Sequence, residues 1–175
     1  DPAYPSLLAS NGARHLDSSY EWLGTSASRE YNALLIDADT FDDGVTTNLA
    51  AGLITFTVSI SGAYWRYGPS TPINVHGWLD YNADGDWNDP GELIINWSGY
   101  PGFGGWPIGQ NWFRVVALVT PLASTPLPVW ARFRLDYAQN LEAPTGPANY
   151  GEVEDYHLLD PLYRYLPLIL RPASP

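Results

Sequence analysis

Regular alternation and frequent chain breaks together predict an all-β protein, an antiparallel β-sandwich of the Ig-like or jelly-roll-like kind. Apolar residues recur at every second position in several short segments, and Gly, Pro, Asn and Asp separate those segments. With 16 glycines and 16 prolines the chain is interrupted too often for long helices. About seven or eight short strands joined by turns remain, which is the pattern of a sandwich.

Residues 1–30 are polar and irregular, with Pro2, Pro5 and Gly12, and are expected to wrap the surface. Residues 31–160 are expected to hold the sandwich, and 161–175 to form an extended tail after Asp160-Pro161. Tyr31 to Ile36 reads as a short strand or a single helical turn, and Asp37 to Gly44 as an acidic turn. Leu53 to Ile60 puts Ile54, Phe56, Val58 and Ile60 on one face. Ile73 to Asp80 turns Ile73, Val75 and Leu79 inward, and Glu92 to Trp97 and Phe113 to Val119 follow as strands. Val129 to Asp136 turns Val129, Ala131, Phe133 and Leu135 inward and Trp130, Arg132 and Arg134 outward. Glu152 to Leu159 is the last predicted strand, and no internal repeat is visible.

The formal net charge is −11, and the 8 basic residues are all arginine. That balance argues against nucleic acid and anionic membrane surfaces, which call for basic patches, and suits divalent cations. Cysteine is absent, so disulfides and thiol chemistry are excluded, and a bound cation can act as the staple instead. The chain opens at Asp1 and contains no methionine, from which a processed, secreted product is expected. No apolar run reaches the roughly 18–20 residues that a bilayer-spanning helix needs.

Between Asp80 and Glu92 the oxygens alternate: Asp80, Asn82, Asp84 and Asp86, with Gly85 to turn the chain and Glu92 beyond. Calcium takes roughly six to eight oxygen ligands, and a flexible acidic loop supplies them. Asp80, Asn82, Asp84, Asp86 and Glu92 are therefore the candidate Ca2+ ligands, Asp86 with its backbone carbonyl as an option. The closing Glu falls one position later than an EF-hand requires, and the flanks read as strands. The alternative is a solvated acidic β-turn, since Asp, Asn and Gly are common there. A second cation site would form if Asp39, Asp42 and Asp43 met Glu152, Glu154 and Asp155. Otherwise Glu152 and Asp155 pair with Arg132 or Arg134 as ordinary bridges.

The hexapeptide Gly151-Glu-Val-Glu-Asp-Tyr156, taken with the Trp78 to Glu92 segment, resembles the bacterial GEVED domain in order and separation. Trp130-Ala-Arg-Phe-Arg-Leu135 is similar to the family's arginine-rich strand, and Tyr4 to His15 and Asp42 to Val45 to segments that often precede the domain. The resemblance implies a calcium-stabilised β-sandwich module of secreted or cell-surface bacterial proteins, without established catalytic activity. Trp87 stands where the family often has Phe. The acidic turn near Asp39 is thinner than usual, which bears on the second cation.

No enzyme is expected. His15, His76 and His157 are scattered without an H-E-x-x-H spacing, and no G-x-S-x-G turn exists. His76 and His157 read as structural. Trp97, Tyr100, Trp106 and Trp112 lie in or beside a glycine-rich loop and either form a platform for sugar rings or fold back as a lid. Asn96 begins an N-x-S glycosylation triplet. The tail carries Tyr163, Tyr165, Leu166, Leu168, Ile169 and Leu170, an apolar strand-forming run that must pair to avoid aggregation. It either completes its own sheet, which Pro167 fits at an edge, or adds to the sheet of another copy, and an open contact of that kind gives a filament. The expectation is thus a non-catalytic extracellular structural protein that assembles with copies of itself, at the cell surface or secreted. A carbohydrate-binding or adhesive module using residues 97–112 is the alternative.

Overall fold

The structure, a computed structural model, describes residues 4–27, 42–61, 71–100, 112–119 and 129–158. Its strands in chain order are β1 (Arg14–Asp17), β2 (Glu21–Leu23), β3 (Val45–Asn48), β4 (Leu53–Ile60), β5 (Ile73–Leu79), β6 (Leu93–Gly99), β7 (Trp112–Leu118), β8 (Val129–Tyr137), β9 (Pro147–Tyr150) and β10 (Glu152–Leu158). Among the described residues the only helical elements are two short 3-10 turns, Leu8–Ser10 and Leu49–Ala51.

Two antiparallel sheets carry the fold. One runs β10-β8-β5-β6, and in the other β4 pairs with β2, β3 and β7. The alternating residues of β4, β5 and β8 meet between them. Ile54, Phe56 and Val58 of one sheet and Val75, Phe133 and Leu135 of the other are fully buried in one cluster, so the predicted sandwich is present. Burial of such side chains, each worth about 1.5–3 kcal/mol, is the main force joining the sheets.

One edge of β4 is paired by β7 along Leu53 to Ser59. On the other edge β2 and β3 lie end to end, at Val58 to Ile60 and Leu53 to Phe56. Thr57 sits at the join, accepting from the Gly24 N–H and donating to the Gly44 carbonyl, both at 2.9 Å. The gap in that edge between β2 and β3 is closed from the opposite sheet. Alternate residues of β10 reach across: the Glu152 carboxylate accepts the Leu23 N–H at 2.8 Å. Glu154 Oε1 accepts the N–H groups of Asp43 and Gly44 at 3.1 and 3.0 Å. The Tyr156 hydroxyl accepts the Val45 N–H and donates to Glu154 Oε2, both at 3.0 Å.

The opposite face of β10 sends Asp155 to Arg132, with Nε–Oδ1 and Nη2–Oδ2 distances of 2.7 and 2.6 Å. Arg132 and Arg134 leave the sheet on its outer side as expected, but they do not meet water: they are 0% and 1% exposed. Residues from the first thirty and from the β8–β9 connection cover them. Arg132 Nη1 donates to the carbonyls of Pro5 and Pro144, both at 2.8 Å. Arg134 donates to Ala143, Thr145 and Gly146, and burial followed by the Arg132 charge lowers its pKa to about 10. Five guanidinium N–H groups in a fixed fork suit several carbonyls at once. This layer includes the parallel pair β1–β9. The first thirty residues therefore do more than wrap: β1 joins the outer layer and β2 belongs to the sandwich itself. Tyr31 to Ile36 lies outside the described residues.

Gly151 begins β10 with φ +96°, and a Cβ there would stand 1.9 Å from the Leu135 carbonyl oxygen. Gly151→Ala is expected to lower the stability measured by urea unfolding by about 3 kcal/mol, since strain and a backbone clash combine. Gly91→Ala, at φ +98° with nothing near its Cβ, is expected to cost only the left-handed penalty of about 1–2 kcal/mol. Equal losses would refute the steric account.

Candidate metal centre

The acidic turn connects β5 to β6, and the strand pairing of Leu79 N–H with the Glu92 carbonyl at 2.9 Å brings its two ends together. Among the described residues, Asp80, Asp84 and Glu92 place one carboxylate oxygen each within 4.8 Å of the others. These three could hold a metal ion. Asp80 and Glu92 form the buried floor, 0% and 1% exposed, while Asp84 closes the site from the solvent side.

Backbone N–H groups orient each oxygen. Asp80 Oδ1 accepts from Asp84 N–H at 3.3 Å and Oδ2 from Gly85 N–H at 3.1 Å. Glu92 Oε1 accepts from Tyr81 N–H at 3.3 Å and Oε2 from Asp89 N–H at 3.0 Å. A carboxylate oxygen has more than one lone pair, so these bonds position it and leave capacity for a cation. Burial foremost, with Asp80 and Asp89 adding to it, pushes the Glu92 carboxyl up to about 7. Carboxylates this close repel, and a cation between them removes the repulsion.

The other predicted ligands take different roles. Asn82 Oδ1 accepts the Asp84 N–H at 3.1 Å, and its amide donates to Asp84 and Asp89 at 2.9 and 2.6 Å. The Asp86 carboxylate accepts the Asn88 N–H at 2.8 Å, turned along the chain. Two participants were missed by sequence reasoning. Asp89 supports Asn82, and Tyr4, far away in the chain, donates its hydroxyl to Asp80 Oδ2. Only the acidic character of Asp89 within the run offered a signal; Tyr4 offered none.

Among the residues of the suggested second site, Glu152 and Glu154 point between the sheets, whereas Asp155 is on the other face with Arg132. Asp43 is held by Thr25, whose N–H it accepts at 2.9 Å. Asp42 interacts electrostatically with Glu152, and Asp39 lies outside the described residues. Burial, then the neighbouring Glu154 charge, raises the Glu152 carboxyl to about 9. Burial raises Glu154 to about 8 against the hydrogen bonds from Gly44 and Tyr156.

Trp97 is in β6 and packs edge-on against Phe56, ring centroids 5.7 Å apart, so its ring belongs with the core and not with an exposed platform. Tyr100 is exposed. Trp112 lies in β7, and Trp106 and the tail residues Tyr163, Tyr165, Leu166, Leu168, Ile169 and Leu170 lie outside the described residues. Asn96 is exposed, its amide donating to Glu142 at 3.2 Å. His76 is buried, 3.6 Å from Asp136, and His157 stacks on Trp130 at 4.5 Å. His15 links Tyr150 and Arg134, and desolvation with the Arg134 charge pushes its pKa down to about 3.

These elements define a β-sandwich module with an acidic turn able to hold a metal ion. Residues 74–159 match the family model of the GEVED domain, and this part of the chain is a GEVED domain. Searches of the curated proteins and of the solved structures found no match. The matched residues run from the second residue of β5 through β10, while the partners of Glu152 and Glu154 at Leu23, Asp43 and Gly44 precede them.

The raised carboxyls set a pH dependence. The unfolded chain releases these protons near the ordinary value of 4.5, whereas the fold retains them to about 9 at Glu152 and about 8 at Glu154. The unfolded state binds fewer protons across this interval, so stability is greatest below it and falls as pH rises through it. Urea unfolding in chelator should show a decline between about pH 5 and 8, by at most about 1.4 kcal/mol per pH unit for each group. Glu154→Gln keeps an acceptor for Asp43 and Gly44 and should flatten that slope; an undiminished slope would exclude Glu154 as its source.

Proposed function

We propose that this chain is a non-catalytic, calcium-stabilised module of the cell exterior that assembles with copies of itself through its C-terminal segment. The convergence of Asp80, Asp84 and Glu92 is the observation that carries the calcium reading. The donors are hard oxygens, two on a buried floor and one on an adaptable turn, and calcium accepts irregular, high coordination that magnesium resists. Carbonyl, Asn82 or water oxygens would complete the shell. A chain without cysteine gains from such a cross-link what a disulfide otherwise supplies. The GEVED domain points to an extracellular-type module, where calcium is plentiful.

The assembly reading is supported by β7. Among the described residues it pairs with β4 alone, and Val116 and Leu118 on its outer face are 60% and 82% exposed. An unpaired edge with apolar side chains is a template for an added strand. The occupant we assign is the tail of a neighbouring copy, residues 163–170, whose Tyr165, Leu166, Leu168, Ile169 and Leu170 supply the apolar strand. The tail leaves from β10, which lies over β2 and β3 and therefore on the far side of β4 from β7. Donor and acceptor at opposite edges give a head-to-tail contact, which propagates instead of closing. Among the described residues no helix is long and apolar enough to cross a membrane.

Calcium at a hundred times its Kd should add about 2.7 kcal/mol, so excess chelator should lower the Tm by about 5–10 °C. Asp84→Ala should reproduce that loss and abolish the response to chelator; an unchanged melt in chelator would overturn the calcium reading. Electron microscopy should show filaments of the full chain and monomers of a version ending at Asp160. Leu118→Lys should also stop assembly without altering the monomer melt. Monomers of the full chain, with residues 163–170 protected from proteolysis, would mean that the tail closes its own sheet.

A further inference from the structure

Tyr4 connects the acidic turn to the layer that covers the outer face of the β10-β8-β5-β6 sheet. Its backbone N–H donates to the Gly85 carbonyl at 2.8 Å, and its hydroxyl donates to Asp80 Oδ2. Its ring lies 4.8 Å from Trp87 and 6.0 Å from Trp130 by centroid. Trp87, buried, donates its indole N–H to the Trp130 carbonyl at 3.3 Å and covers the Arg132 guanidinium at 4.5 Å. Arg132 in turn holds the carbonyl of Pro5, the residue after Tyr4. The segment then turns through Leu8–Ser10 and enters β1. Tyr4 itself adopts φ 50°, a left-handed conformation that a bulky residue keeps only when its surroundings hold it.

We propose that Tyr4 couples cation binding in the acidic turn to docking of residues 4–17 on the outer face of the sheet. The inference rests on the calcium reading above and adds a consequence to it. Both polar bonds of Tyr4 end on the turn, one on its backbone at Gly85 and one on the floor carboxylate Asp80. The turn conformation that offers both partners together is the one in which Asp80, Asp84 and Glu92 converge. Repulsion among three carboxylates opposes that conformation, and a cation favours it. The bound cation therefore stabilises the surface on which Tyr4 docks. Linkage makes the effect reciprocal: a docked Tyr4 must tighten cation binding by the same factor.

The aromatic and guanidinium contacts extend the coupling beyond one residue. Tyr4, Trp87 and Arg132 form a continuous chain of contacts from the turn to the Pro5 carbonyl. Loosening the turn withdraws two of the anchors that hold the segment, while the β1–β9 pairing at Arg14 and His15 remains. Residues 4–12 should accordingly respond most.

Calorimetric titration with calcium chloride, on the wild-type chain and on Tyr4→Phe, tests the proposal. The substitution keeps the ring on Trp87 and removes only the hydroxyl. Wild type is expected to bind calcium, and Tyr4→Phe to bind about five- to tenfold more weakly. Hydrogen exchange on the wild-type chain supplies an arm that needs no variant. Calcium should slow exchange of the amides of residues 4–12, and chelator should restore it, with the β4 amides little changed. Equal calcium affinity in the two chains, or exchange in residues 4–12 indifferent to calcium, would overturn the coupling and leave the calcium reading standing. No binding to wild type would overturn both.

Discussion

The two faces of β10 hold the molecule together in different ways, and most of the remaining structure depends on that division. Inward, Glu152, Glu154 and Tyr156 satisfy N–H groups at Leu23, Asp43, Gly44 and Val45, where the edge of the opposite sheet is interrupted. Outward, Asp155 fixes Arg132, which gathers the carbonyls of Pro5 and Pro144. A strand alternates with period two, so one short sequence can address both layers. The spacing of the two glutamates, with the aspartate between a glutamate and the tyrosine, is what that geometry needs. Gly151 contributes the left-handed entry that lets β10 pass close to Leu135.

Burying charge in this way is costly unless each charge is answered. On the outer side it is answered directly. Arg132 has a bidentate carboxylate, and Arg134 spreads its donors over backbone carbonyls that would otherwise need water. Burial by itself would raise the Asp136 carboxyl, yet the neighbouring His76, 3.6 Å away, and hydrogen bonds from Asn74 and the N–H groups of Leu141 and Asn140 hold it below its ordinary value. On the inner side no cation stands beside Glu152 and Glu154 among the described contacts, and their proton affinity rises instead. The same physics thus gives an ion pair on one face of a strand and retained protons on the other.

The sandwich was legible because alternation reports burial directly. Ile54, Phe56 and Val58 in β4, and Val129, Ala131, Phe133 and Leu135 in β8, face the core as their parity requires. Trp97 shares the parity of Ile95 and packs inward on Phe56, whereas the glycine-rich loop after it suggested a place on a surface platform or lid. Arg132 and Arg134 were assigned to the correct face, and their burial was not readable, because the cover comes from residues over a hundred positions away at Pro5 and from the β8–β9 connection. β1 and β9 are short and polar, and their parallel pairing exists only because the outer layer brings them together. In the turn, regular oxygen spacing pointed to a set of candidates that includes Asp80, Asp84 and Glu92, whose carboxylates converge. It could not separate them from Asp86, whose carboxylate serves the next backbone N–H, nor announce Tyr4.

The two flanks of the β4 sheet are treated differently, and that asymmetry bears on how copies could meet. On the β2–β3 side the broken edge is covered by carboxylates and a tyrosine from β10, which satisfy the N–H groups of Leu23, Asp43, Gly44 and Val45. On the β7 side, among the described residues, neither charge nor proline intervenes at Val116 or Leu118. Soluble β proteins ordinarily protect such an edge with lysine, proline or a bulge. This chain contains no lysine at all, and the arginine of β7, Arg114, lies at the end away from Leu118. An edge that is apolar and, among the described residues, unpaired beyond β4 is the feature that the proposed addition of a foreign strand would use. The acidic net charge works against indiscriminate association of whole surfaces, so backbone pairing at a single edge is the contact that such a molecule can form most selectively.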